Sequence, residues 1–314
     1  MGKPTLGSKA QTGEPVLQVM GLSKRFGEFT AVDDLSFEAN AGEVIGLLGP
    51  NGSGKTTTIR MLLGLLQPSG GTARLLGHDI VTEADAIRAK VGYMSQRFAL
   101  YDELTAEENL RFYSGVYGAQ SAGRIEELLG TLGLQAAASM RAGALPIGWR
   151  QRLALAVAMV HHPVFVFLDE PTSGVDPIAR RLFWNRIYDL ADQGVTAVVT
   201  THHMDEAEYC HRVGIMQRGR LLALGSPSEL KRSALRGIAW DVYATPLLRG
   251  LHAAQTTPGV WRTTLASDHL RAITDPGLEA SSLEAALQAA GLSEVSLSRG
   301  QPTLEDVFLA LASD

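Results

Sequence analysis

The chain has 314 residues, 45% hydrophobic and 19% charged, enough for about two globular domains and too apolar for wholesale disorder. Lys and Arg number 28 against 33 Asp and Glu, a net charge of −5, which is the wrong sign for a protein that coats nucleic acid. The single cysteine, Cys210, excludes an intrachain disulfide framework and points to a reducing compartment. No apolar run reaches the roughly 18 residues of a membrane-spanning helix; the longest, Leu153–Val160, ends at His161 and His162.

Met1–Pro15 is polar, rich in Gly, Pro, Ser and Thr, and lacks the apolar stretch of a secretory signal, so it reads as a mobile tail. The first buried strand is predicted over Val44–Leu48. It runs into Gly49-Pro50-Asn51-Gly52-Ser53-Gly54-Lys55-Thr56-Thr57, which fits the phosphate-loop pattern G-x-x-x-x-G-K-[ST]. Glycines let the backbone wrap so that successive N–H groups point inward at a polyphosphate. A helix predicted over Lys55–Leu66 adds the positive end of its dipole. In such a loop Lys55 meets the β- and γ-phosphates and Thr56 offers its hydroxyl to Mg²⁺. The strand before and the helix after separate this reading from a glycine-rich turn with a chance lysine.

A second strand, Val91–Met94, leads to Ser95-Gln96. A helical stretch follows from Thr105 to Val160, with helices over Ala106–Tyr113, Arg124–Leu132 and Ile147–Val160. The next strand, Val164–Leu168, shows no alternation, as expected inside a mostly parallel sheet covered on both faces. It ends in Asp169-Glu170, at the strand end where open α/β sheets take ligands. Asp169 is suited to hold Mg²⁺ through water and Glu170 to polarise an attacking water. A fourth strand, Val195–Thr201, leads to His202. All four strand ends belong on one edge of one sheet, around the γ-phosphate position. Read singly, Gln96 is also a plain surface residue and His202 a satisfied core histidine; their shared placement argues against both.

From about Ser233 the pattern changes to a small α+β module over 233–314. Strands are expected at Ala239–Tyr243, Trp261–Leu265, His269–Ile273 and Glu294–Leu297, and helices at Leu247–Ala254, Ser282–Ala290 and Thr303–Leu311. Thr303 is a plausible N-cap, with Glu305 and Asp306 in the first turn.

In this order the motifs resemble those of the ATP-binding cassette (ABC) ATPases, over residues 16–232. Gly49–Thr57 matches the Walker A motif, Gln96 the Q-loop, Leu145–Trp149 the signature slot, Val164–Glu170 the Walker B strand, Ser173, Gly174, Val175 and Asp176 the D-loop, and His202 the switch histidine. The resemblance implies a phosphate-loop α/β core: a mostly parallel sheet, an antiparallel β subdomain and a helical subdomain at about 97–160. It implies ATP and Mg²⁺, with Thr56, Gln96 and Asp169 at the metal, and Glu170, Gln96 and His202 as the catalytic group. It assigns Phe26, in Lys24-Arg25-Phe26-Gly27, to stacking on adenine; a plain core phenylalanine is the alternative.

The resemblance further implies a head-to-tail dimer that sandwiches two ATP molecules, each between the Walker A loop of one protomer and the signature of the other. The dimer would be either a homodimer or a heterodimer with a second ABC ATPase. The partner would be a transmembrane permease, the protein would sit peripherally on the cytoplasmic face of the plasma (inner) membrane, and nucleic acid would not be a partner.

The signature departs from the family pattern. Leu145-Pro146-Ile147-Gly148-Trp149 stands where the family usually reads Leu-Ser-Gly-Gly-Gln. Pro146 supplies neither hydroxyl nor N–H, although it suits the start of a helix. The Ile147 and Gly148 amides remain for phosphate, so the contact in trans is weakened. The runs Asp169–Pro177 and Thr201–Glu208, with the terminal Pro302–Phe308, are similar to the drug-export type represented by daunorubicin-resistance ATPases. His203, Glu206 and His211 lie close in sequence but match no metal-ligand template, and read as a surface helix. Two rival classes remain: a soluble ABC machine acting on ribosomes or DNA, and a phosphate-loop kinase or GTPase. The first usually carries two cassettes, long coiled coils or zinc cysteines; the second leaves Gln96, Gly148 and His202 unexplained.

Overall fold

The computed structural model describes residues 14–118, 122–233, 235 and 237–312; most of the tail expected over Met1–Pro15 lies outside the described residues. The chain divides into two compact units, Met1–Leu224 and Gly225–Asp314. In chain order the first contains β1 (Leu17–Phe26), β2 (Phe29–Ala39), β3 (Val44–Leu48), α1 (Lys55–Leu62), β4 (Gly70–Leu75), β5 (His78–Asp79), α2 (Ala84–Arg88) and β6 (Val91–Met94). It continues through α3 (Ala106–Val116), α4 (Ala122–Thr131), α5 (Ile147–Ala158), β7 (Phe165–Asp169), α6 (Pro177–Asp192), β8 (Thr196–Thr201), α7 (Met204–Ala207), β9 (Arg212–Gln217) and β10 (Arg220–Gly225).

A six-stranded sheet in the order β10-β9-β3-β8-β7-β6 forms the centre. β3 pairs in parallel with β8 and β9, β7 with β8, and β6 with β7. Every residue of β3, β7 and β8 is buried, so these strands need apolar side chains on both faces. Parallel pairing brings the C-terminal ends of β3, β6, β7 and β8 to one edge. A second, four-stranded sheet, β2-β1-β4-β5, is antiparallel. Leu17, Val19 and Leu35 from it share one core with Ile45, Ile59, Phe165 and Phe167.

The expected helices between Thr105 and Val160 are present as α3, α4 and α5. Thr105 caps α3: its hydroxyl accepts the Glu108 N–H and the Glu108 carboxylate accepts the Thr105 N–H, a reciprocal capping box. One local expectation is corrected and one helix is added. The helix predicted to reach Leu66 stops at Leu62, where Gly64 (φ 65°) turns the chain. α6 was not anticipated, although Asp176 caps it by accepting the Ile178 and Ala179 N–H groups at 3.0 Å, with Pro177 in the first turn.

The second unit holds α8 (Pro227–Ser233), β11 (Ile238–Thr245), α9 (Leu247–Thr256), β12 (Val260–Leu265), β13 (Leu270–Thr274), α10 (Ala280–Ala289), β14 (Ser293–Arg299) and α11 (Leu304–Leu311). The expected strands and helices are all there. The run β11-α9-β12-β13-α10-β14, with sheet order β12-β13-β11-β14, is the ferredoxin-like βαββαβ arrangement. Val242, Leu270, Ala272, Leu283 and Leu287 form its core. Thr303 caps α11 through a capping box with Asp306.

Candidate functional site

At the edge where β3, β6, β7 and β8 end, a cleft of about 380 Å³ is lined by Asn51 to Thr57, Gln96 and Glu170, with Phe29 and Ala31 at its side. The loop Gly49–Gly54 is shaped by glycine. Gly52 and Gly54 have φ of 81° and 101°, conformations that side chains with a Cβ seldom adopt. A Cβ on Gly49 would come within 2.2 Å of the Met216 carbonyl oxygen, so this loop cannot carry another residue there without moving the backbone. α1 begins at Lys55 with no side-chain cap. Its first N–H groups have no intrahelical acceptor and point where an anion is favoured. The buried Ser53 hydroxyl also finds no hydrogen-bond partner.

Lys55 is buried, and its ammonium donates to the Gly49 and Pro50 carbonyls at 2.7 and 3.1 Å. It lies 3.5 Å from a Glu170 carboxylate oxygen. Burial lowers its pKa below the usual lysine range, against the opposing pull of Glu170. The Thr56 hydroxyl donates to Asp169 at 3.0 Å. Gln96 reaches Glu170 with its amide at 3.1 Å, and His202 Nδ1 lies 3.2 Å from the same carboxylate oxygen. Lys55, Thr56, Gln96, Asp169, Glu170 and His202 thus form one connected group. Glu170 sits at φ 48°, a left-handed conformation that costs a non-glycine residue of order 1–3 kcal/mol and clusters at functional sites.

Other assignments fall differently. Phe26 does not line the cleft; Phe29, its cross-strand partner in the β1–β2 hairpin, does. Both are exposed, and Lys24 stands over the Phe26 ring at 5.0 Å. Leu145, Pro146, Ile147, Gly148 and Trp149 do not line the cleft either. Pro146 is the N-cap of α5, with Ile147 exposed behind it, and Arg152 packs over Trp149 at 4.9 Å. Ser173, Gly174 and Val175 form the turn after Glu170, closed by Ser173 N–H to the Glu170 carbonyl at 3.2 Å, and Asp176 starts α6.

Two residues that sequence reasoning missed shape the site. The buried Thr200 hydroxyl donates to Asp169 at 2.7 Å and accepts the Glu170 N–H at 2.9 Å. The buried Gln151 amide donates to the Pro171 carbonyl, tying α5 to the segment just after Glu170. No motif marks either; only the pairing of β7 with β8 and the packing of α5 reveal them.

The donor set suits a nucleoside triphosphate with Mg²⁺: a cradle with no room for a Cβ at Gly49 or Gly54, an uncapped helix start, an orphan hydroxyl, one buried ammonium and two adjacent carboxylates. This is a phosphate-loop nucleotide site. The ABC transporter family model matches residues 32–173. The chain is 50% identical over 222 residues to the Escherichia coli probable multidrug ABC transporter ATP-binding protein YbhF, covering 70% of this chain but only 38% of that one. It is 38% identical to the Nod factor export ATP-binding protein I of Ralstonia nicotianae, covering 95% and 94% of the two chains. It is 37% identical to the daunorubicin/doxorubicin resistance ATP-binding protein DrrA of Streptomyces peucetius, covering 94% and 92%. A solved ATP-binding subunit of an ABC transporter superposes with a TM-score of 0.63 at 29% identity, covering 69% of this chain and 92% of that one. The chain belongs to the ATP-binding proteins of the ABC transporter family.

Proposed function

We propose that this chain binds and hydrolyses ATP to power a separate membrane permease for export of a drug-like or lipidic compound. The observation that carries this reading is that Lys55, Thr56, Gln96 and Glu170 line one cleft at the sheet edge, with Asp169 against Thr56 and His202 against Glu170. The export direction follows from kinship with proteins named for Nod factor export and drug resistance.

The loop amides of Gly52 to Thr56 hold the phosphate oxygens, and Lys55 turns from the Gly49 and Pro50 carbonyls to the β- and γ-phosphates. Thr56, Gln96 and Asp169, the last through water, would hold Mg²⁺, which neutralises phosphate charge when bound. Glu170 takes the proton of the attacking water, a contribution of about 10²–10⁴-fold. Gln96, which donates to the Glu170 carboxylate, and His202, which faces it, orient it toward that water. An aromatic at the hairpin end, Phe26 or its neighbour Phe29, stacks on the adenine.

The site is completed by a second ATPase protomer, which presents Leu145–Trp149 across the interface, with Ser173–Asp176 beside it. Homodimer and heterodimer both satisfy this arrangement. Pro146 removes one hydroxyl contact, so turnover of the isolated chain is low. The protein acts at the cytoplasmic face of the plasma (inner) membrane. Among the described residues no helix is long and apolar enough to cross a membrane. Tyr101 and Phe112, 49% and 42% exposed with ring centroids 4.7 Å apart, offer the permease an apolar contact close after Gln96 in sequence. The second unit takes no part in nucleotide binding.

Purified chain should bind ATP and hydrolyse it in a Mg²⁺-dependent manner, and Lys55→Ala should abolish tight binding. Tagged protein should co-purify with a detergent-solubilised membrane protein. Co-purification with ribosomes or DNA instead would overturn the transport reading.

A further inference from the structure

We infer that Glu206 is a positioning residue that locks the loop bearing Ser173–Asp176 to the strand end bearing His202. Glu206 lies in α7 and is only 1% exposed. A buried carboxylate is acceptor-only and must find donors. Its two oxygens find them on opposite sides. One accepts the Thr172 hydroxyl and lies 3.2 Å from Arg180 Nε. The other accepts the Thr201 hydroxyl at 2.7 Å.

Thr172 immediately precedes Ser173, and Arg180 stands on α6, which Asp176 starts. Arg180 also donates to Asp205 at 3.0 Å and toward the Val175 carbonyl at 3.5 Å. Thr201 immediately precedes His202, and its hydroxyl accepts the His203 N–H at 2.9 Å. One carboxylate therefore spans the turn after Glu170 and the residue that faces Glu170. A buried ion pair is weak evidence for stability, since apolar residues of equal volume often serve as well. What this one supplies is registration. The distance between His202 and Glu170 is fixed through Thr201, Glu206 and Thr172 as well as through the β7–β8 pairing.

The inference rests on the assignment of Glu170 and His202 proposed above. The experiment therefore carries Glu170→Gln as a separate control in the full-length protein. Glu206→Gln keeps the side-chain shape, but its NH₂ group cannot accept from a hydroxyl or a guanidinium, so one end of the clamp opens. Expected are kcat lowered about ten- to a hundredfold, KM and ATP affinity within about twofold of the parent, and unfolding midpoint little changed. Thr201→Val should reproduce most of the kcat loss. Adding it to Glu206→Gln should cost little more, because both break one linkage.

If Glu206→Gln does not fold, Thr201→Val and Thr172→Val carry the test, each expected to lose kcat at unchanged ATP affinity. The inference is overturned by kcat within twofold of the parent in the folded variants. Losses that multiply in the double variant, or kcat, affinity and stability falling together as for a merely structural residue, overturn it equally. Normal hydrolysis by Glu170→Gln would overturn the site assignment instead. An inactive Glu170→Gln beside an active Glu206→Gln removes only the clamp.

Discussion

Each unit buries a cluster of charge, and the two clusters are built differently. In the second unit Arg271 donates to Asp241 at 2.5 Å, to Asp306 at 2.8 Å and to the Gln301 carbonyl at 2.5 Å. Burial works against its charge, but Asp306 and Asp241 outweigh this and hold its pKa above the usual value. All three of its nitrogens donate to protein oxygens. In the first unit Lys55, Asp169 and Glu170 are more deeply buried, yet Lys55 and Glu170 border an open cleft beside an uncapped helix start and an orphan hydroxyl. The backbone at Glu170 is held in a left-handed conformation. A closed network holds its own chain together; an open one, with strain and unmet donors, is arranged to receive a ligand.

That contrast predicts opposite responses to losing a charge. The largest effect on stability belongs to Arg271→Leu, which strands the buried Asp306 and the partly buried Asp241. Breaking a buried pair costs about 3–5 kcal/mol, read as earlier calorimetric unfolding of the second unit, while ATP affinity stays within twofold. Lys55→Ala should do the reverse. ATP affinity falls by about 1.5–3 kcal/mol, roughly ten- to a hundredfold in Kd by titration. Stability changes much less, because Gln96 and His202 still face Glu170. Equal losses of stability in both variants would erase the comparison.

Thr200→Val leaves the Glu170 N–H with one acceptor fewer and removes one of the two hydroxyls that donate to Asp169. It should lower kcat roughly ten- to thirtyfold at unchanged affinity. The smallest expected effect is a gain. Pro146→Ser restores a hydroxyl toward the partner site and should raise steady-state hydrolysis about tenfold at unchanged ATP affinity. An equal or slower rate in a well-folded variant would say that α5 is built around Pro146 and the Ile147 and Gly148 amides suffice.

The parts of the fold that were legible are those with one dominant signal. Val44–Leu48 and Val164–Leu168 are apolar without alternation because both faces are covered, and the phosphate loop announces itself by glycine spacing. Thr303 was readable as a cap because capping is local. Less legible was the antiparallel layer. β1 slips register against β2 between Val19 and Leu22 and again near Lys24, so its alternation is interrupted and only the family resemblance supplied it. Asp176-Pro177 is a readable helix start that the D-loop assignment overshadowed. Thr200 and Glu206 were out of reach, since their partners Asp169 and Thr172 lie on another strand and loop. His211, grouped with Glu206 in a possible metal run, instead accepts the Val44 N–H through Nδ1 at 2.9 Å.

The central claim is that Glu170, bonded by Gln96 and faced by Lys55 and His202, performs the proton transfer of ATP hydrolysis. Its most direct test is single-turnover hydrolysis by purified Glu170→Gln with ATP affinity measured in parallel. The account predicts affinity within about twofold of the parent and a rate about 10²–10⁴-fold lower. A near-normal rate in a folded, ATP-binding variant would contradict it.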